Sequence, residues 1–234
     1  MSAKVRRFRP AGRLGTALVV LLGLDVVFGA VMVALRLSEI GLLQRLSRGE
    51  FVSPAEATRS DDRVAAVAIT GVVVLLVTGI VWVVWQHRSQ ANLHAVGLRE
   101  LEYTPGWTVG WWLIPFANFV KPFQTVRELW KASGGEESWR QAKTWSLIGW
   151  WWAAWIGAVV LGRVATAVFN GAATLDALIS SSRLFLIYEL VVIVAAVLAI
   201  AIVRAVIARQ EGLEGRQAEG GAPPPRPDVP GSWT

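Results

Sequence analysis

Apolar and polar positions fall in long blocks along this chain rather than in the short alternations of a water-soluble domain. Residues 14–35 are uncharged apart from Asp25, and residues 64–86, 144–162 and 190–203 carry no charged side chain. A helix needs about 20 apolar residues to cross the hydrocarbon core, so four spans are expected, at about 14–35, 64–85, 145–168 and 184–207. Ser53, Pro54 and Glu56 make a capping box with proline in the first turn. The second helix should therefore start outside the lipid and run beyond its span, through Gln86, Arg88, Asn92 and His94, to a C-terminal cap at Gly97. Residues 38–63 read as a polar connection with a weakly amphipathic piece at 40–46, and a short polar loop should join the last two spans.

The stretch 107–124, WTVGWWLIPFANFVKPFQ, is apolar yet broken. Its apolar part, 107–120, is too short to cross as a helix, and Pro115 removes an amide and disfavours helix at Ile114. A re-entrant or interfacial hairpin is expected, in which the Asn118 side chain caps backbone groups freed by the breaks. Pro122 should open an amphipathic helix over 123–131, closed by Ser133, Gly134 and Gly135. The expected fold class is thus all-α: a polytopic helical membrane protein with four transmembrane helices and one broken hairpin. It divides into a basic segment 1–13, a membrane domain 14–211 and a disordered Pro/Gly-rich tail 212–234.

Charge sets the orientation. With four spans, sixteen basic residues fall on the side of the termini, among them Lys4, Arg6, Arg7, Arg9, Arg13, Arg127, Lys131, Arg140 and Lys143, and six on the other. The positive-inside rule then puts both termini in the cytoplasm of a cell membrane. A full crossing by 107–120 would destroy this bias. The 22-residue first span exceeds the roughly 7 to 15 apolar residues of a cleaved leader and lacks a clear cleavage site, so it is expected to stay uncleaved.

Asp25, Arg163 and Glu189 are charges within the spans, while Arg204 lies at the inner end of the fourth and is counted with the inner cations. Arg163 and Glu189 lie at similar depth, so they should pair, or Arg163 should snorkel outward. Asp25, at mid-span, costs about 2.5 to 3.5 kcal/mol on the insertion scale, and Thr70 and Thr78 bracket its depth as hydrogen-bond partners; a proton or cation site is the functional alternative. Twelve of the 13 tryptophans gather toward the inner side. Trp107, Trp111, Trp112, Trp150 and Trp151, with Arg127 and Lys131, read as a lipid-interface belt. A tryptophan-lined ligand pocket is the alternative.

Composition narrows the chemistry. Hydrophobic residues make up 54% of the chain and charged residues 17%, outside the usual soluble balance. The absence of cysteine excludes disulfides, thiol nucleophiles and iron–sulfur clusters. His87 and His94 are seven apart on one helix, too far to share a metal. Phosphate-loop, HExxH, GxSxG and dinucleotide motifs are absent from the sequence. No cofactor, metal or catalytic residue is expected, and the basic residues flank apolar runs rather than forming a nucleic-acid face.

The residues Tyr103, Thr104, Pro105, Gly106 and Trp107, followed by Trp111, Trp112, Ile114, Pro115, Asn118, Lys121, Pro122, Gln124, Arg127, Glu128 and Trp130, carry a resemblance, as do His87, Arg88, Asn92 and Leu93. They resemble the signature of a bacterial family of multi-pass membrane proteins, domain of unknown function 4328, from Leu14 to Gln210. The resemblance implies a helical membrane fold and no particular reaction. The expected function is a non-enzymatic interaction or scaffold protein that binds lipid or a protein partner on its cytoplasmic side. A small oligomeric transporter or channel using Asp25 and the broken segment is the competing expectation.

Overall fold

The structure, a computed structural model, describes residues 11–98, 100–135 and 139–220, with side chains to 215. Six α-helices follow one another: α1 Gly12–Ser47, α2 Pro54–Ala95, α3 Pro105–Leu113, α4 Lys121–Ala132, α5 Ser146–Asn170 and α6 Leu175–Gly220. Among the described residues there is no strand. α1, α2, α5 and α6 are long and apolar enough to cross a membrane, and the chain is an all-α polytopic membrane protein.

Three of these helices outrun the bilayer. At ~1.5 Å per residue, the 36, 42 and 46 residues of α1, α2 and α6 reach roughly 54 to 69 Å, about twice a ~30 Å hydrocarbon core. α2 has the limits its sequence announces. Ser53 Oγ accepts from Glu56 N at 3.2 Å, Pro54 opens the first turn, and Gly97 adopts φ +77° just beyond the helix, where a side chain would be strained. α1, in contrast, continues through the expected polar connection to Ser47, leaving only six residues before α2. The link before α6 likewise shrinks to residues 171–174. α6 also runs through the first part of the expected disordered tail, because Leu213 is buried and anchors that turn. Residues 221–234 and Lys4, Arg6, Arg7 and Arg9 lie outside the described residues.

The long helices pack along seams of heptad spacing. On α1 the buried positions Gly15, Leu18, Leu22, Asp25, Gly29 and Met32 advance by alternating three and four residues. Ala196, Ala199, Val203, Val206 and Gln210 do so on α6, and Thr78, Trp82, Trp85, Ser89 and Asn92 on α2. Such spacing holds one face of a helix against its partner, and the small residues let backbones approach closely. α1 packs against α2 on one side and α6 on the other, and α6 packs against α5. The row is therefore α2, α1, α6, α5.

α3 and α4 form a hairpin over one end of this row. α3, at 9 residues, reaches about 13 Å, too short to cross. It ends at Leu113 because Ile114, ahead of Pro115, is extended (φ −89°, ψ 116°). A 3₁₀ turn, Ala117–Phe119, reverses the chain, with Phe116 at φ 66°. Pro122 lies in the first turn of α4, as expected. The Asn118 cap is not formed: its Oδ1 is buried without a partner, and the turn is closed by its backbone N–H, which donates to Ile114 O at 3.0 Å.

Candidate functional site

Two groups of polar side chains sit at different levels of the bundle. The first is a polar network that ties the hairpin to the ends of α2 and α6. Gln86 Nε2 donates to Thr125 Oγ1 at 2.8 Å, while Gln86 Oε1 accepts from Trp112 Nε1 at 3.0 Å. One turn on, Gln90 Nε2 donates to Tyr103 O and to Glu128 Oε1 at 2.9 and 2.8 Å. Glu128 also accepts the backbone N–H groups of Glu102 and Tyr103, at 2.7 and 3.2 Å. The chain entering the hairpin is thereby clamped to the helix leaving it. Gln210 of α6 donates to Ser89 O at 2.9 Å and accepts from Asn92 at 3.4 Å.

Burial pushes the Glu128 carboxyl above its ordinary value, against the three N–H donors, which pull it down. Burial likewise raises the Tyr103 phenol, whose hydroxyl donates to Gln124 Oε1 at 2.8 Å. Sequence reasoning missed this network. The available signal is the i, i+4 pair Gln86 and Gln90 in register with Trp82 and Leu93, which puts two amides on the face of α2 that also carries its buried aromatic residues.

The tryptophans depart from the expected belt. Trp85 is fully buried and Trp82, Trp130, Trp139 and Trp151 nearly so. Trp82 stacks on Trp151 at 5.2 Å between ring centres, Trp152 on Trp155 at 4.9 Å, and Trp112 meets Trp155 edge-on at 5.7 Å. They form the core of the capped end, because indoles three and four apart on α2 and α5 face each other across the bundle. Trp151 and Trp112 are thus packed against other rings rather than set at an interface, and Trp111 stacks on Trp107 at 4.7 Å. Trp107 and Trp150 are exposed, as a lipid contact requires, and so is Arg127; Lys131 is half-buried and its Nζ donates to Arg140 O at 3.2 Å.

The second group lies at mid-span. A cavity of about 430 Å³ lies among α1, α2, α5 and α6, with Leu22 and Asp25 of α1, Thr78 and Trp82 of α2, Trp155 of α5 and Tyr188 of α6 in its wall. Asp25 is 8% exposed and its Oδ2 has no hydrogen-bond partner. Of the two threonines expected beside it, Thr78 is the neighbour, with its hydroxyl donating to Val74 O at 2.9 Å. Thr70 is exposed and bonds Ala66 O of its own helix.

The Arg163–Glu189 pair does not form. Arg163 is exposed on α5, in a groove with Thr166, Asn170 and Tyr188, and makes no ion pair among the described residues. The cation acting on Glu189 is Arg36 of α1, because the other neighbour of α6 supplies it. Arg36 also bonds Glu39 at 2.7 Å and lies 4.6 Å from the centre of the Phe185 ring. His87 is exposed, and His94 Nε2 lies 3.2 Å from Tyr103 O.

No curated protein and no solved structure matches the chain. Residues 48–208 match the family described as domain of unknown function 4328. That range takes in the turn before α2, the hairpin and its polar clamp, α5 and most of α6, and leaves α1 with Asp25 outside it. By this match over more than half its length the chain belongs to the domain of unknown function 4328 family.

Proposed function

We propose that this protein is a non-enzymatic interaction protein of the cell membrane, with the capped end and both termini in the cytoplasm. In this reading the α3–α4 hairpin dips into the inner leaflet as a re-entrant element, and the cations around it engage anionic headgroups. The observation that carries it is the hairpin itself. Leu113 and Phe116 at its tip are 80% and 85% exposed, an arrangement unfavourable in water and favourable in lipid. Arg127, Arg140 and Lys143 follow on the chain leaving the tip and are exposed, the level at which each cation adds about 1 kcal/mol of attraction to an anionic surface. The sixteen-to-six division of basic residues supports the orientation.

A second reading, a small oligomeric transporter, is favoured by one observation, the mid-span cavity bearing Asp25. Reconstitution separates the two. With the interaction reading, tryptophan fluorescence in vesicles containing brominated phosphatidylglycerol is quenched more strongly than with brominated phosphatidylcholine, and R127E/K143E removes the difference. Equal quenching by the two lipids would defeat the headgroup role.

A further inference from the structure

The mid-span cavity has a composition that selects its occupant. Trp82, Trp112, Trp151, Trp155 and Tyr188 supply aromatic surface, and Asp25 is the only lining residue that carries charge. These rings are held by packing on one another: Trp82 on Trp151, and Trp112 against Trp155. The wall is therefore formed before anything binds. Its volume, about 430 Å³, lies within the roughly 300–1,000 Å³ of small-molecule sites. From these features we infer that the cavity is a binding site for a monovalent organic cation with an apolar body, of the alkyl- or aryl-ammonium class, entering sideways from the bilayer.

Three alternatives fit the wall less well. An inorganic cation needs about six or more oxygen ligands to replace its hydration shell, and the side-chain oxygens in the cavity wall come from Asp25, Thr78 and Tyr188 alone, set among apolar and aromatic groups. A neutral lipid tail would fill the space but leave Asp25 Oδ2 buried and unpartnered, a costly state in hydrocarbon. An anion would meet the carboxylate and the negative faces of the rings. An ammonium satisfies both elements together: it pairs with Asp25 and lies over aromatic faces, while its hydrocarbon part takes the apolar remainder. Entry from the bilayer follows from the helix order. α2 and α5 are the two ends of the row and the cavity is lined from both, while toward the capped end Trp82 stacks on Trp151 and Trp112 is bonded to Gln86. The inference needs the four-span fold and not the headgroup role of the hairpin, and it holds whether or not the occupant crosses the membrane.

The test uses benzyltrimethylammonium and its uncharged isostere neopentylbenzene, measured by equilibrium dialysis against the full chain in zwitterionic phosphatidylcholine nanodiscs, with empty nanodiscs as baseline. Zwitterionic lipid keeps the measurement independent of the basic surface. The expected result is saturable binding of one cation per chain, not displaced by neopentylbenzene. It should weaken at least tenfold in Asp25→Asn and at least tenfold in Gly79→Leu. Gly79 lines the same cavity and has nothing within 4 Å of an added Cβ, so leucine there fills the space with Asp25 intact. If Asp25→Asn does not fold, the Gly79→Leu result decides. Binding unchanged in Gly79→Leu, unchanged in a folded Asp25→Asn, equal for the neutral isostere, or absent above empty nanodiscs would each overturn the site. So would a phospholipid retained by the wild type and released by Gly79→Leu, with no cation binding.

Discussion

At the scale of single residues, Glu128 shows how a charge is made tolerable in a buried place. Its two oxygens receive one side-chain and two backbone N–H groups, and Glu128→Gln would turn an amide NH₂ toward those donors. Leaving buried groups unsatisfied costs about 1–3 kcal/mol, so the variant should melt earlier by that amount, read from the fluorescence of the tryptophans packed beside the clamp. Its pH dependence has a definite sign. Because burial raises this carboxyl above its ordinary 4.5, the folded state holds the proton more firmly than the unfolded one. The stability it contributes is therefore greatest near and below 4.5 and declines as pH rises through the folded value. Subtracting the melting profile of Glu128→Gln from that of the wild type isolates this effect; a difference that grows with pH would mean that the three donors outweigh burial. Sequence pattern reached Asp25 and one of its two candidate neighbours, because a lone charge in an apolar block stands out. It did not reach Glu128, Gln86 or Gln90, since polar residues on a helix that leaves the lipid look solvated until a second element is known to cover them. The tryptophans of the expected belt divide, Trp107 and Trp150 exposed and Trp151 packed inside, for the same reason: an indole suits an interface and a core equally, and the choice depends on which faces of α2 and α5 meet.

At the scale of elements, the joint between α1 and α6 depends on two glycines. A Cβ on Gly29 would lie 2.7 Å from Ile193 Cγ1, and one on Gly15 2.2 Å from Ile207 Cδ1. Gly23, on the same helix, has nothing within 4 Å. Gly15→Val and Gly29→Val should each destabilise the bundle by about 1–3 kcal/mol through overpacking, whereas Gly23→Val stays within about 0.5 kcal/mol. Thermal unfolding in detergent distinguishes them, and three equal losses would show that the effect is helix propensity rather than wedging. The elements themselves were legible to different degrees. Capping chemistry located both ends of α2, and two prolines located the break and restart around the hairpin, because these residues act on the backbone directly. The ends of α1 and α6 were misplaced. Arg36 and Ser38 mark where lipid ends, but polarity does not stop a helix, and α1 carries on to Ser47, where Gly49 at φ +77° turns the chain.

At the scale of the whole molecule, the clamp, the hairpin and the division of charge combine into one geometrical consequence: the chain enters and leaves the hairpin on the same side. Glu102 and Tyr103 before α3 are bonded to Glu128 in α4, and Arg140 beyond α4 bonds the carbonyl of Glu100 and approaches its carboxylate at 3.5 Å. Positions 100 and 140 must then share an aqueous compartment, while Phe51, in the turn between α1 and α2, faces the other. The sequence contains no cysteine, so single-cysteine variants can be labelled without background. With a membrane-impermeant maleimide on intact cells, F51C should react at once, and E100C and R140C only after permeabilisation. F116C, at the tip, should resist the reagent on both sides and react only after the bilayer is dissolved in denaturing detergent, because the proposed leaflet insertion shields the thiol from water and keeps it from ionising to the reactive thiolate. Aqueous labelling of F116C after permeabilisation would leave the clamp intact and move the hairpin out of the bilayer to its surface. Labelling of E100C and R140C from opposite sides would require the hairpin to cross, and a 9-residue α3 reaching about 13 Å cannot do so without unfolding the clamp that Glu128 holds.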